Sequence, residues 1–163
     1  MVKNFKLLGT TCQNDLKWNE HIDQIPCKAN RSLYHLRQCR KSQLPTEIGL
    51  VTYTSKIRPV LEYASPVWAG LPDYLQQEIE RMQARSMRIL GLDGNYLLSL
   101  SSRRELATIR EIRRIQEEVN HPCHSLLPDP REHPYELSQN NLYTVSSKTE
   151  RHKQSFIARS IKY

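Results

Sequence analysis

The sequence predicts a mainly α protein with a short β segment at its start, a bundle of about three helices, a fourth helix and an irregular tail. Apolar residues recur at spacings of three and four through most of residues 18–120, as one buried helix face requires. Prolines and glycines separate these stretches. Beyond residue 120 the helical period is lost, and four prolines stand at positions 122, 128, 130 and 134.

The first elements are a short extended segment and a long helix. Residues 5–12 are predicted to be extended with a turn at Gly9, and a strand this short needs a partner. A helix is predicted after Trp18, with Asn19 as a candidate cap and Pro26 kinking it or delaying its start. Its inward stripe comprises Ile22, Ile25, Ala29, Leu33 and Leu36.

A second helix is predicted to open after Pro45, with Thr46 as its cap and a bend at Pro59. Its inward residues are predicted to be Ile48, Val51, Ile57, Val60, Leu61 and Ala64. The segment that follows, residues 65–70, is expected to connect two helices and to bury the indole of Trp68.

A third helix is predicted from Asp73 to a stop at Gly91, and a fourth over residues 102–119. The predicted inward residues are Leu75, Ile79, Met82, Ile89 and Leu90 on the third helix, and Leu106, Ile109, Ile112, Ile115 and Val119 on the fourth. The predicted organisation is therefore a strand segment at 1–17, a helical bundle at 18–92, a connecting helix at 93–120 and an extended or disordered tail at 121–163.

The charge balance points to a polyanionic partner. Lysine and arginine number 24 against 17 acidic residues, a formal net charge of +7. No acidic residue lies between Asp23 and Glu47. The candidate nucleic-acid contacts are Lys28, Arg31, Arg37, Arg40 and Lys41 on the first long helix, and Arg81, Arg85 and Arg88 on the third. The alternative for the first long helix is a solvated polar face, and the alternative for the third is that intrahelical pairs with Glu78 and Asp73 absorb part of its charge.

Several function classes are disfavoured. The four cysteines have no CxxC spacing and no signal peptide is evident, so we expect an intracellular protein of the nucleus or cytoplasm, not a secreted one. No apolar run is long enough to span a bilayer, so no membrane association is expected.

His121, Cys123 and His124 lack a second ligand pair, so no metal or other cofactor is expected. No catalytic triad has a recognisable local context, so the chain alone is predicted not to be an enzyme. Trp18 and Trp68 are expected in the core in preference to stacking on bases.

Most of the chain resembles the end of the reverse transcriptase domain of non-LTR retrotransposons of the jockey and chicken-repeat-like kind. The residues that match where the palm closes and the thumb begins are Leu8, Gly9, Leu16, Trp18, His21, Ile22 and Asp23, continued by Ala29, Asn30, Leu33, Leu36 and Arg37. The most specific block is residues 58–68 (RPVLEYASPVW), followed by Ile79, Glu80, Gln83, Ala84 and Gly91. Residues similar to the tail of such reading frames are 103–106, His121, Pro122, His124 and 126–128, with Thr149, Arg151, Ser155, Phe156 and Ile157. Thr10, Cys12 and Gln13 depart from the pattern.

The resemblance implies a thumb part that contacts an RNA or DNA template-primer without sequence preference. The family's metal-binding palm aspartates have no counterpart here, so Mg²⁺ is expected only in that missing palm, and the chain is expected to be a fragment of an RNA-directed DNA polymerase. One alternative is a helical protein-interaction module derived from the element, which self-associates through exposed apolar helix faces. Another alternative is that the chain is similar to the amino-terminal domain of an AlkB-type alkylation repair homologue but lacks the residues that repair activity needs.

Overall fold

The computed structural model describes residues 3–15, 17–128 and 148–160, and the fold is mainly α as predicted. The elements in this part of the chain are β1 (Asn4–Leu7), β2 (Thr10–Gln13), α1 (Asn19–Lys41), α2 (Thr46–Thr52), α3 (Arg58–Glu62), α4 (Ser65–Trp68), α5 (Asp73–Leu90), α6 (Leu100–Glu117), α7 (Glu150–Lys153) and α8 (Phe156–Ser160). A π-helical turn, Tyr53–Ile57, joins α2 to α3, and a 3-10 turn covers His124–Leu126. The predicted tail residues 129–147 lie outside the described residues.

Contacts group the chain into two compact units. The first combines residues 1–64 with 71–103, and the second combines residues 65–70 with 104–163. Each unit therefore combines two stretches that are separate in the sequence, whereas the predicted organisation has four consecutive segments.

The first unit begins with an antiparallel hairpin in which Leu7 pairs with Thr10. The turn residues Leu8 (φ 46°) and Gly9 (φ 86°) both have positive φ, as a two-residue hairpin turn of type I′ requires. The predicted turn at Gly9 is confirmed, and β2 is the partner that the short first strand needs.

The helix α1 buries the predicted stripe, which comprises Ile22, Ile25, Ala29, Leu33 and Leu36. It begins at Asn19 and continues through Pro26, so of the two predicted effects of Pro26 the delayed start is wrong. Asn19 does not cap it either: Trp18 holds the cap position without a side-chain bond. The Asn19 side chain has a tertiary partner instead, because its Oδ1 accepts a hydrogen bond from Tyr74 Oη at 3.1 Å.

The hairpin rests on the first turns of α1 through polar contacts at His21. The Thr11 N–H donates to His21 Nδ1 at 3.3 Å, and Thr11 Oγ1 donates to Gln24 Oε1 at 3.2 Å. Burial lowers the pKa of His21, and the charge of Lys28 lowers it further. His21 is therefore held as the neutral acceptor that this contact requires.

The second predicted helix is divided by the π-helical turn immediately before Pro59. Pro59 lies in the first turn of α3, has no N–H and would clash with the carbonyl of Ser55 in a regular α-helix. A wider π turn relieves that clash, and this is how the chain accommodates the bend expected there.

Two residues of α2 do not face the core as predicted. Ile48 and Val51 are 45% and 64% exposed. Gly49 faces α5 instead, and the side chain of Leu90 occupies the space that a β-carbon would need. Because α2 approaches α5 through a glycine, its apolar neighbours turn toward solvent. Thr46, the first residue of α2, makes no capping bond.

The predicted end of the third helix is confirmed. Gly91 follows α5 with φ 78°, the left-handed conformation that glycine adopts without strain. Its N–H donates to Arg88 O at 3.1 Å, and the N–H of Leu92 donates to Met87 O at 3.0 Å, which closes the helix. Of the predicted inward residues, Ile89 is half-buried, and the buried ones are Leu75, Ile79, Met82 and Leu90.

A buried polar chain joins the π turn to α5 and to the loop after it. Tyr53 Oη donates to Gln83 Oε1 at 2.8 Å, and Gln83 Nε2 donates to Leu98 O at 3.0 Å. Burial raises the pKa of Tyr53 above its usual value, so the phenol remains a donor.

The second unit is organised around Trp68, which is fully buried as predicted. The guanidinium carbon of Arg104 lies 5.5 Å from its ring centroid. Arg159 Nη2 donates to Pro66 O and to Thr108 Oγ1, both at 3.3 Å. Both arginines thus belong to the structure of this unit.

The buried face of α6 differs from the predicted one. Leu106 and Val119, predicted to face inward, are 47% and 74% exposed, and Val119 lies beyond the end of the helix. The packing of Arg104 on Trp68 determines which face of α6 is buried. That face comprises Arg104, Thr108, Ile112 and Ile115.

Part of the predicted irregular tail is helical. The described residues after 147 form α7 and α8, and Thr149 Oγ1 caps α7 by accepting from the His152 N–H at 3.2 Å. Helices of four and five residues are too short to show a periodic pattern in the sequence.

Candidate nucleic-acid interface

The helices α1 and α5 lie side by side and run in the same direction. Near their first turns Tyr74 contacts Asn19, and further along both helices Arg85 Nη1 donates to Asn30 Oδ1 at 3.1 Å. At the far end, the guanidinium of Arg40 lies against the glycine that terminates α5. The contacts occur in the same order along both helices, so the pair is parallel.

Charge is segregated along this parallel pair. The acidic residues of both helices lie in their first halves and are Glu20, Asp23, Asp73, Glu78 and Glu80. The acid-free stretches are residues 24–41 of α1 and 81–90 of α5. Because the helices are parallel, these two stretches lie next to each other.

All eight basic residues predicted to contact nucleic acid are exposed, namely Lys28, Arg31, Arg37, Arg40, Lys41, Arg81, Arg85 and Arg88. None of them forms an ion pair with any residue that the structure describes. In particular, neither Asp73 nor Glu78 pairs with the arginines of α5. These cations are therefore accessible to an external anion.

The fold brings five of the eight residues to one surface. Since Arg85 contacts Asn30, the basic stripe of α5 borders α1. Arg37 and Lys41 follow Asn30 by seven and eleven residues, about two and three helical turns, so they lie on the same side of α1. This surface, called here the shared basic face, comprises Arg37, Lys41, Arg81, Arg85 and Arg88.

The other three predicted residues are placed elsewhere. Lys28 lines a cavity of about 290 Å³ beside Pro59, on the other side of α1. Arg31 follows Asn30 by one residue and is about 100° further round the helix. Arg40 lies at the carboxyl end of α5, where a cation is favoured by the helix dipole.

Two arginines of α6, Arg103 and Arg114, pair with acidic residues, unlike the cations of the shared basic face. Arg103 binds both carboxylate oxygens of Glu62, with Nη2 and Oε2 3.1 Å apart, and this hydrogen bonding raises the pKa of Arg103. Arg114 pairs with Glu111 at 3.5 Å and with Glu118 at 3.9 Å. Each of these arginines has an acidic partner within the fold.

An open cavity of about 650 Å³ adjoins the shared basic face and was not predicted from the sequence. Arg81 belongs to both the face and the cavity. The lining joins one side of α5 to the loop after it, and its main side chains are Gln77, Glu80, Arg81, Asn95, Tyr96 and Leu98. The turn residues at 93–95 are the only sequence signal, and they indicate a loop without indicating what it packs against.

Other candidate features do not add to this interface. Trp68 is inaccessible for stacking on a base, and Trp18 is half-buried with its ring edge-on to His21, 6.1 Å between centroids. Among the described residues, no group of three or more His, Cys, Asp or Glu side chains could hold a metal ion. No helix in the same part of the chain is long and apolar enough to cross a membrane.

Comparison of the chain with protein-family models, with curated proteins and with solved structures gave no match. The fold and the exposed charges define a mainly helical protein with a basic surface on two parallel helices.

Proposed function

We propose that the first unit binds the sugar–phosphate backbone of RNA or DNA through the shared basic face, without reading sequence. The observation that supports this most directly is the set of five exposed cations on two parallel helices, none of them in an ion pair within the part of the chain that the structure describes. Such a surface suits a polyanion, since each neutralised phosphate releases condensed counterions. The resemblance of residues 58–68 to a reverse transcriptase thumb supports the same role, with a template-primer as the partner.

The dimensions of the face suit a nucleic-acid backbone. Arg81 and Arg88 are seven residues apart, about 10 Å along the helix axis. A double helix carries one charge per roughly 1.7 Å, so about six phosphates span that length. Five cations facing about six phosphates can neutralise up to about five of them.

We propose binding and no catalytic step for this chain alone. Nucleotide transfer by two metal ions needs carboxylates that converge on both ions, and in the resembling family these belong to the palm. A nucleic-acid partner would place the protein in the nucleus or cytoplasm.

A salt titration of the full chain tests this proposal. The affinity for a fluorescein-labelled RNA–DNA hybrid duplex would be measured by anisotropy between about 50 and 200 mM salt. With five neutralised phosphates the slope of log K against log salt is about −4.5, so affinity should fall roughly 500-fold over that range. Binding that is independent of salt, or absent at the lowest salt, would overturn the proposal.

A second candidate function is self-association through α2. Ile48 and Val51 are three residues apart on α2, and they are 45% and 64% exposed. Exposed apolar neighbours of this kind favour burial against a second copy. Sedimentation velocity of the Ile48→Asp variant should then show a smaller species than the parent chain, whereas loss of charge on α5 should leave the oligomeric state unchanged.

A further inference from the structure

We infer that the cavity beside Arg81 holds one unpaired nucleotide of a nucleic acid bound on the shared basic face. This inference rests on the proposed function and extends it, because it assigns a single-stranded element to a defined site. The cavity of about 650 Å³ falls within the size range of small-ligand sites.

One wall of the cavity is a turn stabilised by its own hydrogen bonds. The side chain of Asp93 accepts from the Asn95 N–H at 2.7 Å, and the Asp93 carbonyl accepts from the Tyr96 N–H at 3.1 Å. Gly94 packs against α5, since a β-carbon there would stand 3.3 Å from Ala84 Cβ. The turn thereby holds Asn95 and Tyr96 beside the helix.

The rest of this wall is tied to α5 by two hydrogen bonds. Gln83 Nε2 donates to Leu98 O at 3.0 Å, and the Ser101 N–H donates to Glu80 Oε1 at 2.7 Å. Gln83 is itself held by Tyr53. The cavity is thus present before any ligand binds, which reduces the ordering cost of binding.

The exposed side chains suit the parts of a nucleotide. Tyr96 is 56% exposed and offers a ring face for base stacking. Arg81 stands where the cavity meets the shared basic face and can bind the phosphate. Gln77, Arg81 and Tyr96 make no side-chain hydrogen bond or ion pair with another described residue, so all three can engage a ligand.

Glu80 adds a preference among bases. One of its oxygens accepts from the Ser101 N–H, and an ionised carboxylate can accept further hydrogen bonds but donate none. Cytosine can donate to it from its N4 amino group, whereas the N3–H donor of thymine lies between two acceptors, O2 and O4, which a carboxylate repels. The same negative charge keeps the phosphate at Arg81. Cytosine should therefore bind better than thymine.

The test uses the full chain and three labelled probes: a blunt duplex, the same duplex with a single-stranded dC tail, and the same duplex with a dT tail. The dC-tailed probe should bind about fivefold or more tightly than the blunt one, as one stacked base provides. Tyr96→Ala should abolish that gain without changing affinity for the blunt duplex. Tyr96→Phe is the matched control, because it keeps the aromatic ring and should retain the gain.

The outcomes separate this inference from the proposed function. If Tyr96→Ala leaves the tail preference intact while blunt binding remains salt-dependent, the nucleotide site is refuted and the basic face stands. If no probe binds, both fail. Glu80→Gln keeps an acceptor for Ser101 but replaces the second acceptor by an NH2 donor, so it should abolish the preference for the dC tail; equal affinities already in the parent chain would refute the role of Glu80.

Discussion

Removing the charges of α5 should make nucleic-acid binding much less sensitive to salt. The variant replaces Arg81, Arg85 and Arg88 by glutamine, which favours helix nearly as well as arginine and keeps a long polar side chain. All three arginines are exposed and lack an ion pair to any described residue, and glutamine at position 85 keeps an N–H donor for Asn30, so the fold should change little.

The expected magnitude follows from how many phosphates the variant leaves without a cation. Three fewer neutralised phosphates reduce the salt slope by about 2.7, from roughly −4.5 to roughly −1.8. Between about 50 and 200 mM salt the parent chain should lose roughly 500-fold in affinity and the variant only about 12-fold. The assay is hybrid-duplex anisotropy over that range, with circular dichroism to confirm helix content.

A matched variant separates a local interface from net charge. Replacing Arg110, Arg113 and Arg114 of α6 by glutamine removes the same formal charge, yet Arg114 is already paired with Glu111. We expect its salt slope to remain near that of the parent. Equal reductions in both triple variants would show that net charge alone drives binding, and the assignment to the shared basic face would be refuted.

Three further predictions concern stability, each measured by urea unfolding. Gly91→Ala, at φ 78°, should destabilise the protein by about 1 kcal/mol, because a β-carbon disfavours the left-handed conformation. Because the pKa of His21 is lowered in the folded state, the unfolded chain binds the proton more readily. The free energy of unfolding should therefore be highest above pH 6.5 and should decrease as the pH falls through the folded-state pKa of His21. His21→Gln should remove this dependence and His35→Gln, at an exposed site, should not. Glu62→Gln should lower the free energy of unfolding by about 1 kcal/mol, because it weakens the ion pair with Arg103. An unchanged free energy of unfolding would show that water compensates fully for the lost ion pair.

Features set by neighbouring residues were predictable. The stripe of α1, the end of α5 at Gly91 and the burial of Trp68 all follow from local spacing and conformation. The caps at Asn19 and Thr46 were wrong, since cap preference is worth about 1 kcal/mol and other contacts can override it.

Features set by packing between distant residues were not predictable. Leu106 was expected inside α6, but Arg104 determines the buried face by packing on Trp68. In the same way, Ile48 is exposed because Gly49 permits the close approach of α2 to α5. An apolar pattern identifies a helix, but it does not specify which of two neighbouring faces has the better partner.

By itself the sequence determined a mainly helical chain with eight basic residues concentrated on two helices and the acidic residues in their first halves. Only the tertiary structure decided that α1 and α5 run parallel, which places the acid-free stretches next to each other, and that the loop after α5 forms a cavity at Arg81. The physical reason is that charge and helix periodicity are local properties, whereas the direction in which two helices pack depends on side chains 55 residues apart, such as Asn30 and Arg85.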